Sequence, residues 1–220
     1  MVFCIAFASS NAFSYELWKS LKKPRLLTNQ EADYTNSAIS PYFAYVRARE
    51  NNSSPLCKDT INYDDAFETF KLLGSPLYST LPKSSLDDNC MAELTQQMYL
   101  NAESKKAWEV VKIDLENLSL EDFTKTLKGA LFSDHPLIFS VLMTENFYNI
   151  KQDKPLWKTV GDKLRKSNGQ LVGHAMVITG YQDNYKNSGK TVFQFFNSWG
   201  PGFGINGYGD VTAEDLREKI

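Results

Sequence analysis

Three residues able to work together on a carbonyl group stand at separated points of the chain, each in a distinctive setting. His174 lies between Gly173 and Ala175 at the head of an apolar run, and Asn197 follows a second such run in Asn197-Ser198-Trp199-Gly200. A histidine at the start of one strand and an asparagine after another bring an imidazole beside an amide able to orient it. At the other end, Cys4 opens the stretch Cys4-Ile5-Ala6-Phe7-Ala8. A helix N-terminus carries partial positive charge and spare N–H donors, a setting that favours a thiolate. With an imidazole nearby, such a thiolate attacks carbonyl carbon. Read alone, Cys4 is better taken as a buried cysteine of a core helix; the other two motifs favour the nucleophile. His135, the second of two histidines, precedes Pro136 in a turn, has no following Asn-Ser-Trp-Gly, and reads as structural.

The elements that must position these residues change character along the chain. A helix is expected from Cys4 to about Lys22, closed by Pro24. Ser40-Pro41 supplies a capping hydroxyl and a first-turn proline for a second helix through Tyr42 to Val46. Asp64-Asp65 introduce a third, stopped by Gly74, and Asn51 to Pro55 reads as a surface loop. After a helix at Leu120 to Leu131 come three β-rich runs: Pro136–Leu142, Ala175–Tyr181 and Val192–Phe196, with Asn184–Lys190 as a polar turn. Helices first and strands afterwards argue for an α+β fold with two lobes. The boundary falls between Trp108 and Asp114, giving a helical lobe 1-110 with the nucleophile and a β-rich lobe 111-220 with the histidine and asparagine.

Composition narrows the classes. A chain of 220 residues that is 42% hydrophobic buries a substantial core. A formal net charge of -2 leaves no basic footprint for nucleic acid or an anionic membrane. No apolar run approaches the ~18 residues of a membrane span. The apolar opening is not read as a secretory signal, because no Lys or Arg precedes Lys19. Three cysteines suit one free thiol and one bridge.

Cys4, His174 and Asn197, in that order and with these flanks, resemble the papain-like cysteine peptidases. The resemblance is strongest from Gly173 to Asp210, where Asn197-Ser198-Trp199-Gly200 is followed by Gly202, Gly204 and Asn206-Gly207-Tyr208-Gly209. It implies a two-lobed fold, a helical lobe plus an antiparallel β-barrel-like lobe. It implies Cys4 as nucleophile, His174 as base and acid, Asn197 as orienter and Trp199 as the ring that keeps water from their hydrogen bond. Further implications are a Cys57–Cys90 disulfide, peptide or protein substrates, no cofactor or metal, a monomer, and a secreted, periplasmic or lysosome-like compartment. A catalytically inactive binding protein of the same fold, and acyl transfer to an amine, are the competing readings.

The chain departs from the pattern in several places. Ile5 stands where the family has tryptophan, and Phe3 where a small residue is usual, which is expected to crowd the oxyanion position. The family's glutamine about six residues before the nucleophile has no counterpart, since only Met1, Val2 and Phe3 precede Cys4. This reads as an N-terminally shortened copy, and loss of one oxyanion donor costs ~10²–10³ in rate. Thr60, Ile61 and Asn62 replace the paired glycines that hold substrate backbone. His174 and Asn197 lie farther from Cys4 than the ~130–150 residues usual for the family, so an insertion bordering the cleft is expected at Asn146–Gly169. Asn52-Ser53-Ser54 and Asn117-Leu118-Ser119 match glycosylation acceptors.

Overall fold

A computed structural model describes residues 3–20, 38–52, 61–107 and 109–220. Lys22, Pro24, Ser53 to Thr60 and Trp108 lie outside the described residues, and with them the expected end of the first helix, most of the Asn51–Pro55 loop and Cys57. The chain divides into two compact units, Met1–Lys112 and Ile113–Ile220.

In the first unit, α1 spans Cys4–Ser20, an uninterrupted run without Gly or Pro. Ala6, Ala8, Ser9, Ser10 and Ala12 are all buried along it, so small side chains let neighbouring helices approach. The second helix, α2, covers Pro41–Asn52. Ser40 caps it as expected: its Oγ accepts from Tyr42 N at 3.2 Å and donates to Leu81 O at 2.6 Å. Pro41 sits at the first helical position, where a missing N–H costs no hydrogen bond. Helix α3, Tyr63–Leu72, is capped by Asn62, whose side chain accepts from Asp65 N at 2.8 Å. Asp64 and Asp65 therefore lie inside its first turn, favourable to the helix dipole. Gly74 follows at φ +75°, where a Cβ would meet Ala102 O at 2.1 Å. A fourth helix, α4 over Gln96–Glu103, was not foreseen. Ala6, Tyr45, Ala48, Ile61, Ala66 and Phe70 form one core cluster, and Tyr42, Phe43, Leu81 and Ala102 another.

The second unit begins with α5, Leu120–Phe132. Ser119 caps it, accepting from Asp122 N at 3.0 Å and donating to Asp122 Oδ2 at 2.7 Å. Strand β1, Leu137–Leu142, follows, then a long, largely irregular connection with one short 3-10 helix, Glu145–Asn149, and the two-residue strands β2 (Leu156–Trp157), β3 (Lys166–Ser167) and β4 (Gln170–Leu171). Strands β5 (Gly173–Gln182), β6 (Val192–Phe196) and β7 (Tyr208–Thr212) lead to the terminal helix α6, Ala213–Lys219. The main sheet runs β1-β5-β6-β7-β2, and β3 and β4 form a separate two-stranded ribbon.

The expected antiparallel barrel-like lobe needs correcting in detail. Four strands pair antiparallel, but β2 joins β7 in parallel, so the sheet is mixed. With β1 at one edge and β2 at the other, strand pairing leaves it open. The physical reason is the long connection after β1, which delivers β2 to the far edge in the same direction as β7. One face of the sheet buries Phe123 and Leu127 of α5 with Phe139, Met176, Ile178, Phe193, Phe195, Trp157 and Leu216.

Candidate active site

His174 is the second residue of β5, opposite Val141 of β1, and is 2% exposed. Asn197 comes directly after β6 and is fully buried. Its backbone N–H donates to Gly207 O at 2.9 Å, while Gly207 N donates to Phe203 O at 2.8 Å. The glycine-rich run thus folds back on itself to anchor the asparagine. Gly204 makes this possible: it has φ +50°, and a Cβ there would meet Tyr208 O at 1.9 Å.

Anchored in this way, Asn197 Oδ1 lies 2.9 Å from His174 Nε2. A carbonyl oxygen only accepts, so Nε2 carries the proton and Nδ1 keeps a lone pair. Nδ1 is buried and has no hydrogen-bond partner among the described residues; the same holds for Asn197 Nδ2. Burial pulls the His174 pKa from 6.5 down to about 4, against the opposing pull of the Asn197 hydrogen bond. Near neutral pH the ring is therefore a neutral base. To hold a proton near neutral pH it needs a negative counter-charge.

Aromatic rings enclose this pair. Trp199 lies 5.3 Å from the His174 ring at 33°, and Phe147 lies 5.8 Å from it at 77°. Phe147 is fully buried and also meets Trp199 edge-on at 5.3 Å and Phe203 at 5.3 Å. On the outer side, Tyr148 stacks on Trp199 at 5.1 Å and 27°, and the Arg165 guanidinium lies 4.4 Å over the Tyr148 ring. Phe147, Tyr148 and Arg165 were missed by sequence reasoning. Their only signal was an adjacent aromatic pair inside a stretch read as an insertion.

That stretch, Asn146–Gly169, is built into the unit and not merely appended to it. Phe147, Ile150 and Trp157 join the main core. Trp157 Nε1 donates to Thr144 Oγ1 at 2.9 Å. Further on, Asp215 of α6 accepts from Thr159 N at 2.8 Å, Thr159 Oγ1 at 2.8 Å and Val160 N at 3.0 Å. The same carboxylate accepts from Thr212 Oγ1 at 2.7 Å. Burial opposes its ionisation, but these donors together hold its pKa below the usual carboxylate value.

Cys4 belongs to the helical unit, where it opens α1, is 8% exposed and carries a free thiol. Phe3 directly precedes it. Its ring packs 4.4 Å from Tyr45, 5.5 Å from Tyr42 and 6.5 Å from Phe7, inside the helical core. Ile61 is likewise buried in that core and Asn62 is a helix cap, so both have structural duties. His135 occupies an exposed turn between α5 and β1. Asn117 is exposed at φ +58°, two residues before the Ser119 cap. No group of His, Cys, Asp or Glu suited to a metal ion occurs among the described residues, nor does any helix long and apolar enough to cross a membrane.

No protein-family model matches the chain. An uncharacterised peptidase C1-like protein of Acanthamoeba polyphaga mimivirus is 32% identical over 125 residues, covering 56% of this chain and 37% of that protein. The matched part is thus little more than a third of the relative's length. Xylellain, a cysteine protease from Xylella fastidiosa, superposes with a TM-score of 0.71 at 19% identity, over 97% of this chain and 74% of its own. The bromelain protease of Ananas comosus gives 0.61 at 19% identity, over 96% and 79% of the two chains. Digestive procathepsin L 3 of Tenebrio molitor gives 0.58 at 15%, over 95% and 57%. The fold is the papain-like α+β fold of these cysteine proteases.

Proposed function

We propose that this chain is a papain-like cysteine peptidase that hydrolyses peptide bonds through an acyl-thioester on Cys4. The observation that carries the reading is the buried Nε2–Oδ1 hydrogen bond between His174 and Asn197, which leaves Nδ1 as an unprotonated base. Asn197 fixes the tautomer and tilt of the ring, and Trp199 and Phe147 keep water from the bond. His174 Nδ1 takes the Cys4 proton, and the sulfur bonds to the substrate carbonyl carbon. The resulting oxyanion collapses, the C–N bond breaks, and the imidazolium gives its proton to the leaving amine. Water, deprotonated by His174, then cleaves the thioester and restores the thiol. An imidazolium so buried requires a counter-charge, and in this reading the Cys4 thiolate supplies it.

Two measurements test this. An epoxide-type cysteine peptidase inhibitor is expected to add to Cys4, located by peptide mapping. The His174 ring, followed by NMR, is expected to titrate lower in Cys4→Ala than in the unmodified chain, where a Cys4 thiolate would offset its charge. Equal values would separate the cysteine from the histidine and favour an inactive binding protein of this fold. Cys4→Ala is expected to abolish peptide hydrolysis, and Asn197→Ala to slow it less, because nucleophile and base survive.

The proposal extends to a division of labour between a nucleophile-bearing lobe, 1-110, and a base-bearing lobe, 111-220. It also includes a monomeric protein in a secreted, periplasmic or lysosome-like compartment, with a Cys57–Cys90 disulfide. Such a bridge stabilises by ~3 kcal/mol. Peptide mapping without reductant is expected to recover the two cysteine peptides linked.

A further inference from the structure

The stack outside Trp199 has no part in the acyl chemistry, yet it occupies a defined place relative to it. If His174 protonates the leaving amine, the departing peptide must run over the imidazole and past whatever flanks it. This step rests on the proposed peptidase reading. What flanks it is a shelf made of Trp199, 37% exposed, Tyr148, 42% exposed, and the exposed Arg165. Each layer lies against the next: Trp199 on His174, Tyr148 on Trp199, Arg165 on Tyr148. At about 3.3–3.6 Å per extended residue, the first few residues of a leaving peptide reach along it.

The shelf is cationic. From Glu145 to Lys166 the sequence holds six Lys or Arg against three Asp or Glu, in a chain whose net charge is -2. One of those acids, Asp162, is committed to backbone, accepting from Asn146 N at 2.7 Å and Lys163 N at 2.9 Å. Arg165 is held in position by its own backbone: its N–H donates to Met143 O at 2.8 Å and its carbonyl accepts from Val172 N at 3.1 Å. A guanidinium lying on a ring face keeps its in-plane N–H donors available for a carboxylate. Tyr148 thereby orients Arg165 as well as extending the Trp199 surface.

We infer that Arg165, seated on Tyr148, is a specificity-determining residue that selects a carboxylate on the leaving-group side of the scissile bond. The carboxylate is either an acidic side chain or the free C-terminus of a short leaving peptide. Such exposed pairing gives a modest preference, about three- to fivefold in kcat/KM, weakened by added salt.

The test uses the full chain and matched peptides differing only after the scissile bond. They carry Glu or Lys there, each with a free or an amidated C-terminus. Preference for Glu with either terminus assigns side-chain recognition; preference for the free terminus alone assigns end recognition. Arg165→Glu is expected to invert the preference, and Arg165→Lys to restore the sign incompletely. A ratio unmoved by Arg165→Glu, or a preference for Lys in the original chain, overturns the inference. Binding of the same peptides to Cys4→Ala, read from the Trp199 indole NMR signal, keeps the two readings apart. If nothing is cleaved but the Glu peptide binds in an Arg165-dependent way, the peptidase reading fails and the selection stands. Equal binding of all four peptides sinks the selection whether or not cleavage occurs.

Discussion

Within the second unit, two stretches enclose the same histidine by different means. Gly173 to Thr212 does it with regular structure: three paired strands and a glycine turn that hydrogen-bonds Asn197 into place. Thr144 to Lys166 has almost no regular structure, yet it supplies Phe147, Tyr148 and Trp157. Backbone ladders fix the first stretch. In the second, buried rings and single side-chain hydrogen bonds take over that role, so its precision depends on a few residues and is correspondingly fragile.

Removing a ring from the irregular stretch should therefore give the largest effect. Trp157→Ala or Phe147→Ala is expected to cost about 3–5 kcal/mol, the range for a fully buried large aromatic, measured by urea denaturation. A cost below about 1 kcal/mol would mean that the stretch is held by something other than its core contacts. In Phe147→Ala, moreover, the His174 ring should titrate closer to 6.5 as water reaches it.

Protonation probes the regular stretch. Unfolded, the His174 ring takes up a proton near 6.5; folded, only near 4. The unfolded chain binds the extra proton between these values, so stability present above pH 6.5 is lost as pH falls toward 4. The loss reaches about 3 kcal/mol at one pKa unit per 1.36 kcal/mol. It is best measured in Cys4→Ala, where no thiolate offsets the charge, and His174→Gln should remove most of it.

Smaller perturbations sharpen the contrast. Asp215→Ala strips the acceptor from Thr159 and Val160 and is expected to cost about 1–3 kcal/mol. Gly204→Ala, forced into a positive φ against Tyr208 O, should cost upwards of about 1 kcal/mol and loosen Asn197. His135→Ala, on an exposed turn, should stay within about 0.5 kcal/mol and leave turnover unchanged.

The same contrast explains what was legible in the sequence. Long periodic elements with chemical punctuation were readable: α1, α2 after Ser40-Pro41, α5, and strands β1, β5 and β6. The pairing of His174 with Asn197 was readable too, because both ends of the bond carry distinctive neighbours. Strand β7 was not, since Gly209 and Asp210 break the apolar pattern within five residues and its duties are set by partners on either side. Two-residue β2 has no period to read. Phe147 and Tyr148 were hidden because their value lies in what they touch, and no local pattern announces a tertiary ring contact. The contacts of Phe3 were hidden for the same reason: beside Cys4 it reads only as a departure from the family pattern, and its packing on the rings of Tyr42 and Tyr45 is tertiary.

The Asp215 carboxylate joins the first turn of the final helix to Thr159 and Val160, 56 and 55 positions earlier. Segments tied through one acceptor open together or not at all. In hydrogen–deuterium exchange the amides of Thr159, Val160 and α6 should lose protection as one cooperative unit, at a common free energy. Weakening that unit would release the connection bearing Trp157 before the sheet itself gives way. The recognition surface beside His174 would then be dissolved while the imidazole–amide pair beneath it still stood, so partial opening would blur selectivity ahead of chemistry.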